Sequence, residues 1–70
     1  MVNTKKLKGM IVEKGTTAGK LAESIGINKS TFSNKINSGK FTIEEADNIV
    51  KVLELTSSEA TAIFFSQFVA

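Results

Sequence analysis

The chain has 70 residues, a formal net charge of +2, and no cysteine, histidine or proline. We expect one domain, residues 1–70, of marginal stability unless a partner supports it. Without cysteine or histidine, disulfides, thiolate metal sites and histidine chemistry are excluded. No apolar run approaches about 20 residues, and the N-terminus lacks the long apolar segment of a signal peptide, so we expect a cytoplasmic protein without a membrane span.

The charge is unevenly distributed along the chain. Residues 1–40 hold eight lysines and two glutamates, whereas residues 41–70 hold one lysine and five carboxylates. A basic half suits a polyanion, and the acidic half would then face away from it. Solvated surface lysines are the alternative explanation.

Start and stop signals predict an all-α fold of five short helices, with little support for strands. Capping boxes begin at Thr42 and Thr56, and Asn28 caps the third helix. Gly9 lies inside the first helix, where we expect a close helix contact. Such short helices are unstable alone and must share one core. They are predicted over about Thr4–Lys14, Ala18–Ser24 (capped by Thr17 or Thr16), Lys29–Asn37, from after Thr42 to Leu53, and from after Thr56 or Ser57 through Ile63, Phe64, Phe65 and Phe68.

Residues 17–37 have the pattern of a helix-turn-helix. Ala22 leaves room where two helices cross at a short turn, and Gly26 permits left-handed backbone there. Phe32 and Ile36 anchor the second helix from beneath, so its opposite face is exposed, as in a helix that enters the DNA major groove. An ordinary corner between two helices is the competing interpretation. The apolar positions are Leu21, Ala22, Ile25, Ile27, Phe32 and Ile36, and the outward ones are Asn28, Lys29, Ser30, Ser33, Asn34 and Asn37.

The stretch LAESIGINKSTFSNKI, residues 21–36, resembles the helix-turn-helix of the lambda-repressor/Cro-type regulators of phages and their bacterial relatives. The five-helix layout extends this resemblance over nearly the whole chain. The small size is similar to Cro rather than to a full-length repressor. The start KLKGMIVEKG and the ending IEEADNIVKVLELTSSEATAIFF resemble short Cro-like proteins of phages that infect Gram-positive bacteria. Some of that group are modulators of repression, which bind the repressor protein itself.

The resemblance implies which residues contact double-stranded operator DNA in a bacterial host cell. Residues that open the second motif helix would read base edges: Asn28, Lys29, Ser30, Ser33 and Asn34. Among these, lysine can donate to guanine and asparagine can pair with adenine. Phosphates would be contacted by Thr17, Thr31, Asn37 and Lys40. The chain departs from the family in having Ala18 and Lys29 where many members have glutamine, and it has no arginine, so it lacks the bidentate guanidinium fork.

The C-terminal end is rich in phenylalanine. Phe64 and Phe68 share one helix face, and Phe65 and Val69 share another. One face can close the core over the first and fourth helices, while a monomer rarely leaves a large apolar face in water. Three interpretations stay open. Both faces pack into the core, or the end forms a two-fold dimer that spaces two recognition helices about 34 Å apart, or it docks another regulator.

The expected function is therefore that of a Cro-like transcriptional regulator, acting as a homodimer on operator DNA in a lysis/lysogeny-type switch. The alternative is an antirepressor, a modulator of repression that binds a partner repressor protein. We do not expect an enzyme, because no nucleophile–base pair is evident. The segment Gly15–Lys20 lacks the first glycine and the preceding strand of a phosphate-binding loop. No cofactor or metal is expected.

Overall fold

The computed structural model describes residues 2–65, and this part of the chain is all-helical, with no strand. The predicted all-α class is therefore confirmed for the described residues. Helix bounds agree with the predicted ones to within a residue, except at the end of the last helix. The helices are α1 (Thr4–Glu13), α2 (Ala18–Ser24), α3 (Lys29–Ser38), α4 (Ile43–Leu53) and α5 (Ser57–Phe64).

Each helix begins at a side chain that caps it. An oxygen of the capping residue accepts a hydrogen bond from the third backbone N–H that follows, which satisfies a donor that the helix leaves unpaired. At Thr42 and Thr56 the capping box is complete, because Glu45 and Glu59 accept the N-cap N–H in return. The N-caps are Asn3, Thr17, Asn28, Thr42 and Thr56, and the sequence predicted all of these except Asn3.

The buried side chains of all five helices form one cluster. Leu7, Leu21, Phe32, Ile49 and Ile63 are almost fully buried at its centre. The partly buried ring of Phe41, in the segment between α3 and α4, lies 5.8 Å from the Phe32 ring and 6.2 Å from the Phe64 ring, measured between centroids. These aromatic contacts join α3 to α5 through the segment before α4.

Two predictions about local structure were wrong. Gly9 is exposed, and a Cβ built on it would meet nothing within 4 Å among residues 2–65, so none of the five described helices approaches there. It lies on the solvent side of α1, whereas Leu7, Met10 and Ile11 are buried. The last helix ends at Phe64, since Phe65 leaves the helical region with φ −130° and ψ 42°. Phe68, predicted in the same helix, lies outside the described residues.

Candidate nucleic-acid interface

The corner between α2 and α3 is built as its sequence predicts. Ala22 is fully buried, and its carbonyl accepts the N–H of Ile27 at 3.0 Å across the turn. Gly26 has φ 81°, a backbone conformation that costs glycine no side-chain clash. Phe32 and Ile36 bury one side of α3 against the core. The opposite side of α3 is consequently turned to solvent.

Three neutral polar residues form this outward side of α3. Ser30 and Asn34 are four residues apart and Asn37 follows three residues later, so they share one face. All three are exposed, and all lie away from Phe32 and Ile36. We call Ser30, Asn34 and Asn37 the outward face of α3. It presents one hydroxyl and two amides, which are groups able to donate and accept hydrogen bonds.

Asn28 and Thr31, both predicted to contact DNA, are linked to each other at the start of α3. The Asn28 side-chain oxygen Oδ1 accepts the N–H of Thr31 at 2.8 Å. This bond caps the helix and leaves the NH₂ group of Asn28 for an external acceptor. Thr31 is half-buried and lies on the far side of α3 from Ser33. Of the two, Asn28 is the more exposed.

The side chain of Lys29 lies along α2. A Cβ built on Gly19 would sit 3.6 Å from Cδ and 3.9 Å from Cε of Lys29. These are ordinary van der Waals distances, so the aliphatic stem of the lysine lies against α2 at Gly19. Its ammonium group is placed on the flank of α3 that faces α2, beside the outward face rather than at its centre.

A cleft between α1, α2 and α3 brings together three of the predicted DNA contacts. Thr17, Ser33 and Asn37 line it, and so do Lys8 and Val12 of α1; its volume is about 460 Å³. We call this the α1–α3 cleft. Sequence reasoning missed Lys8 and Val12. Their spacing of four residues showed a shared face of α1, but only tertiary packing could place that face beside α3.

Lys40, another predicted phosphate contact, lies apart from this cleft. It follows Gly39, whose φ of 71° ends α3, and its N–H donates to the Lys35 carbonyl at 3.2 Å. A Cβ on Gly39 would come within 3.7 Å of the Val2 carbonyl oxygen. Lys40 therefore belongs to the end of α3 that meets the N-terminal segment.

Ion pairing leaves the lysines near α2 and α3 largely uncompensated. Lys35 pairs with Glu45 at 3.0 Å, and Lys51 pairs with Asp47 at 2.9 Å. Among residues 2–65, no ion pair involves Lys8, Lys20, Lys29 or Lys40. Lys8, which lines the α1–α3 cleft, and Lys29, beside the outward face of α3, therefore keep positive charge that no ion pair among these residues compensates.

Hydrogen bonds and nearby lysines stabilise two carboxylates at helix starts. The Thr42 N–H, and after it Lys35, lowers the pKa of Glu45. The Thr56 N–H lowers the pKa of Glu59, with smaller contributions from Lys14 and Lys6 across the α1–α5 contact. Lys6 and Lys14 therefore lie near enough to Glu59 of α5 to act on its charge, and neither lines the α1–α3 cleft.

The phenylalanines of the C-terminal end have different environments. Phe64 is only 8% exposed and belongs to the core, whereas Phe65 is 51% exposed. Phe68 and Val69, predicted as dimer or partner contacts with them, lie outside the described residues. Ile43, which the sequence did not single out, is 86% exposed beside Phe65. Ile43, Phe64 and Phe65 line an apolar groove of about 300 Å³ together with Val2, Phe41, Ala46 and Val50, with Thr42 and Asp47 as its polar lining residues.

Neither a membrane-spanning helix nor a metal site is evident in the described chain. Within residues 2–65, no helix is both long and apolar enough to cross a bilayer. The same residues hold no group of three acidic side chains that could bind a metal ion. In comparisons with protein-family models, curated proteins and solved structures, nothing matches this chain.

Proposed function

We propose that the chain is a Cro-type transcriptional regulator that binds double-stranded operator DNA. In this proposal α2 and α3 are a helix-turn-helix, and α3 enters the major groove. The observation that carries it is the outward face of α3: Ser30, Asn34 and Asn37 are exposed opposite a buried anchor. Lys29, which forms no ion pair among residues 2–65, flanks this face on the side of α2, and a helix so presented fits the groove.

The outermost side chains suit base edges. The Asn34 amide can accept from adenine N6 and donate to adenine N7, and the Ser30 hydroxyl can serve a donor or an acceptor. Lys29 approaches from the α2 flank, where its ammonium reaches a guanine edge or a phosphate. Asn28 retains its NH₂ donors after capping α3. Neutral groups thus read the sequence, and lysines supply the attraction to phosphate.

Charge orients the molecule on the duplex. Lys35 and Lys51 are neutralised by Glu45 and Asp47. The carboxylates of α4 and α5 would face away from the DNA, and Lys8 and Lys29 would face toward it. In the complete proposal two copies bind a roughly palindromic operator and control a lysis/lysogeny-type switch.

Selection from a randomised duplex pool tests this function, because the pool contains every short operator sequence. We expect the wild type to enrich one motif and Asn34→Ala to lose preference at one base pair, at about 1–3 kcal/mol. Asn48→Ala, the same substitution on α4, should leave the motif unchanged. Failure of the wild type to enrich any motif would overturn the proposal. The proposal would also be overturned if Asn34→Ala and Ser30→Ala both enriched the same motif as the wild type.

The second candidate function is binding of a partner repressor protein. It is favoured by one observation, that the outward face of α3 carries only hydroxyl and amide groups and no charge. Such a face can meet a protein surface as well as a base edge. A wild type that enriches no DNA motif but forms a complex with a repressor at micromolar concentration would establish this alternative instead.

A further inference from the structure

We propose that the α1–α3 cleft binds one nucleotide unit of the DNA backbone, with Lys8 on the phosphate and Val12 on the deoxyribose. This inference rests on the proposed function and extends it to α1, to which no DNA contact was assigned. It makes α1 a third element of the interface beside α2 and α3.

The composition of the cleft matches a sugar-phosphate unit. Apolar side chains of Ile11, Val12 and Ile36 form part of its wall, while Lys8, Thr17 and Asn37 add polar groups. No carboxylate is among its described lining residues. A deoxyribose is largely apolar and its phosphate is anionic. The sugar can therefore pack on the apolar wall of the cleft while the phosphate contacts its polar groups.

The exposure of Val12 distinguishes this cleft from an ordinary surface depression. Val12 is 75% exposed, although its neighbour Ile11 belongs to the core. It stands four residues after Lys8, so the cation and the apolar side chain lie on the same face of α1. A nucleotide contacting Lys8 would therefore cover Val12 as well.

The donors in the cleft are free to serve a phosphate. Thr17 Oγ1 accepts the Lys20 N–H at 3.2 Å, so its hydroxyl hydrogen is left to donate elsewhere. Lys8 forms no ion pair among the described residues, and the exposed amide of Asn37 makes no hydrogen bond within them. Three donors from three different parts of the fold thus surround one position.

The distance along α3 fits the groove. Seven residues separate Ser30 from Asn37, which corresponds to about 10.5 Å of helix. The major groove is about 12 Å wide. When the first turn of α3 reaches base edges, its last turn and the adjoining cleft therefore lie at the wall of the groove, where the backbone runs.

The salt dependence of binding to the selected duplex tests the contact at Lys8. We expect Lys8→Ala to weaken binding about three- to tenfold near 0.15 M salt and to reduce the salt slope by about 1. The enriched motif should not change, because a phosphate contact carries no base information. Lys6→Ala, on the same helix but not among the residues that line the cleft, should change neither quantity.

Val12→Asn tests the sugar contact without introducing a charge beside Lys8, and Val52→Asn is its control on an exposed position of α4. We expect about a three- to tenfold loss of affinity for Val12→Asn and no loss for Val52→Asn, with thermal melts of both to verify folding. Equal affinities of Lys8→Ala and Lys6→Ala would overturn the inference while leaving the proposed function intact. A wild type that binds no duplex would overturn both.

Discussion

Glu54 holds a backbone conformation that its side chain disfavours. It ends α4 with φ 53° and ψ 49°, and it is the one residue other than glycine with positive φ among residues 2–65. At the end of α3, the corresponding left-handed residue is Gly39, with φ 71°. The bond from the Leu55 N–H to the Val50 carbonyl, 3.0 Å long, closes this turn and depends on the left-handed residue.

We expect Glu54→Gly to raise the free energy of unfolding by about 0.5–1 kcal/mol, because relief of backbone strain exceeds the entropy that glycine adds to the unfolded chain. Urea denaturation measures the difference. The matched control is Lys14→Gly, at the end of α1, where φ is −80°. Glycine relieves no strain there, so that variant should be less stable than the wild type. A Glu54→Gly variant with a lower free energy of unfolding than the wild type would refute the strain argument.

At the scale of the helix, α4 begins with a side chain that holds two helices together. Glu45 accepts the Thr42 N–H at 2.8 Å through one oxygen, and its other oxygen lies 3.0 Å from Lys35 Nζ of α3. The capping box therefore extends into a contact between α3 and α4. It fixes the C-terminal half of α3 against the start of α4.

The lowered pKa of Glu45 makes this contact sensitive to acid. Because the folded pKa lies below the unfolded one, ionised Glu45 contributes stability above about pH 4.5, and this contribution is lost as pH falls through the folded pKa. Glu45→Gln keeps a capping acceptor but removes the charge. We expect it to lose about 0.5 kcal/mol near pH 7 and to show a shallower acid dependence in denaturation series from pH 7 to 3.

Glu44→Gln is the control for this measurement. Glu44 is exposed in the same first turn, and it makes no hydrogen bond or ion pair within the described residues. If Glu45→Gln and Glu44→Gln respond to acid alike, the contact with Lys35 and Thr42 has no part in the pH dependence.

Helix starts were predictable from the sequence because their signals are local. Thr42-Ile-Glu-Glu45 and Thr56-Ser-Ser-Glu59 each contain both partners of a capping box within four residues, and both boxes form. The end of α5 had no comparable signal. No glycine or proline follows Phe64, so the apolar spacing alone extended the predicted helix too far.

At the scale of the whole molecule, the sequence could not predict the parts of the candidate site that depend on how the helices pack against each other. The exposed positions of α3 followed from the buried pair Phe32 and Ile36. The neighbourhood of Lys8 and Val12 could not be predicted, since it depends on which face of α1 turns toward α3. The ion pair between Lys35 and Glu45 joins two helices, and it could not be predicted from the sequence for the same reason.

We propose the apolar groove as the contact between two copies of the chain. Ile43 is 86% exposed beside Phe65 at the start of α4, and a two-fold contact there would bury both side chains in each copy. A palindromic operator requires two recognition helices on one rigid assembly. We therefore expect the wild type to be a dimer in light scattering at tens of micromolar.

Ile43→Glu should yield a monomer that is still folded, because a carboxylate in the first turn of a helix is favourable to it. Val52→Glu is the matched control. Val52 is also an exposed apolar residue of α4, but its nine-residue separation from Ile43 turns it to the opposite side of the helix. That variant should remain dimeric. A wild type with the mass of a monomer, or equal masses for the two variants, would show that the groove is not a dimer contact. Any operator binding would then be by separate monomers.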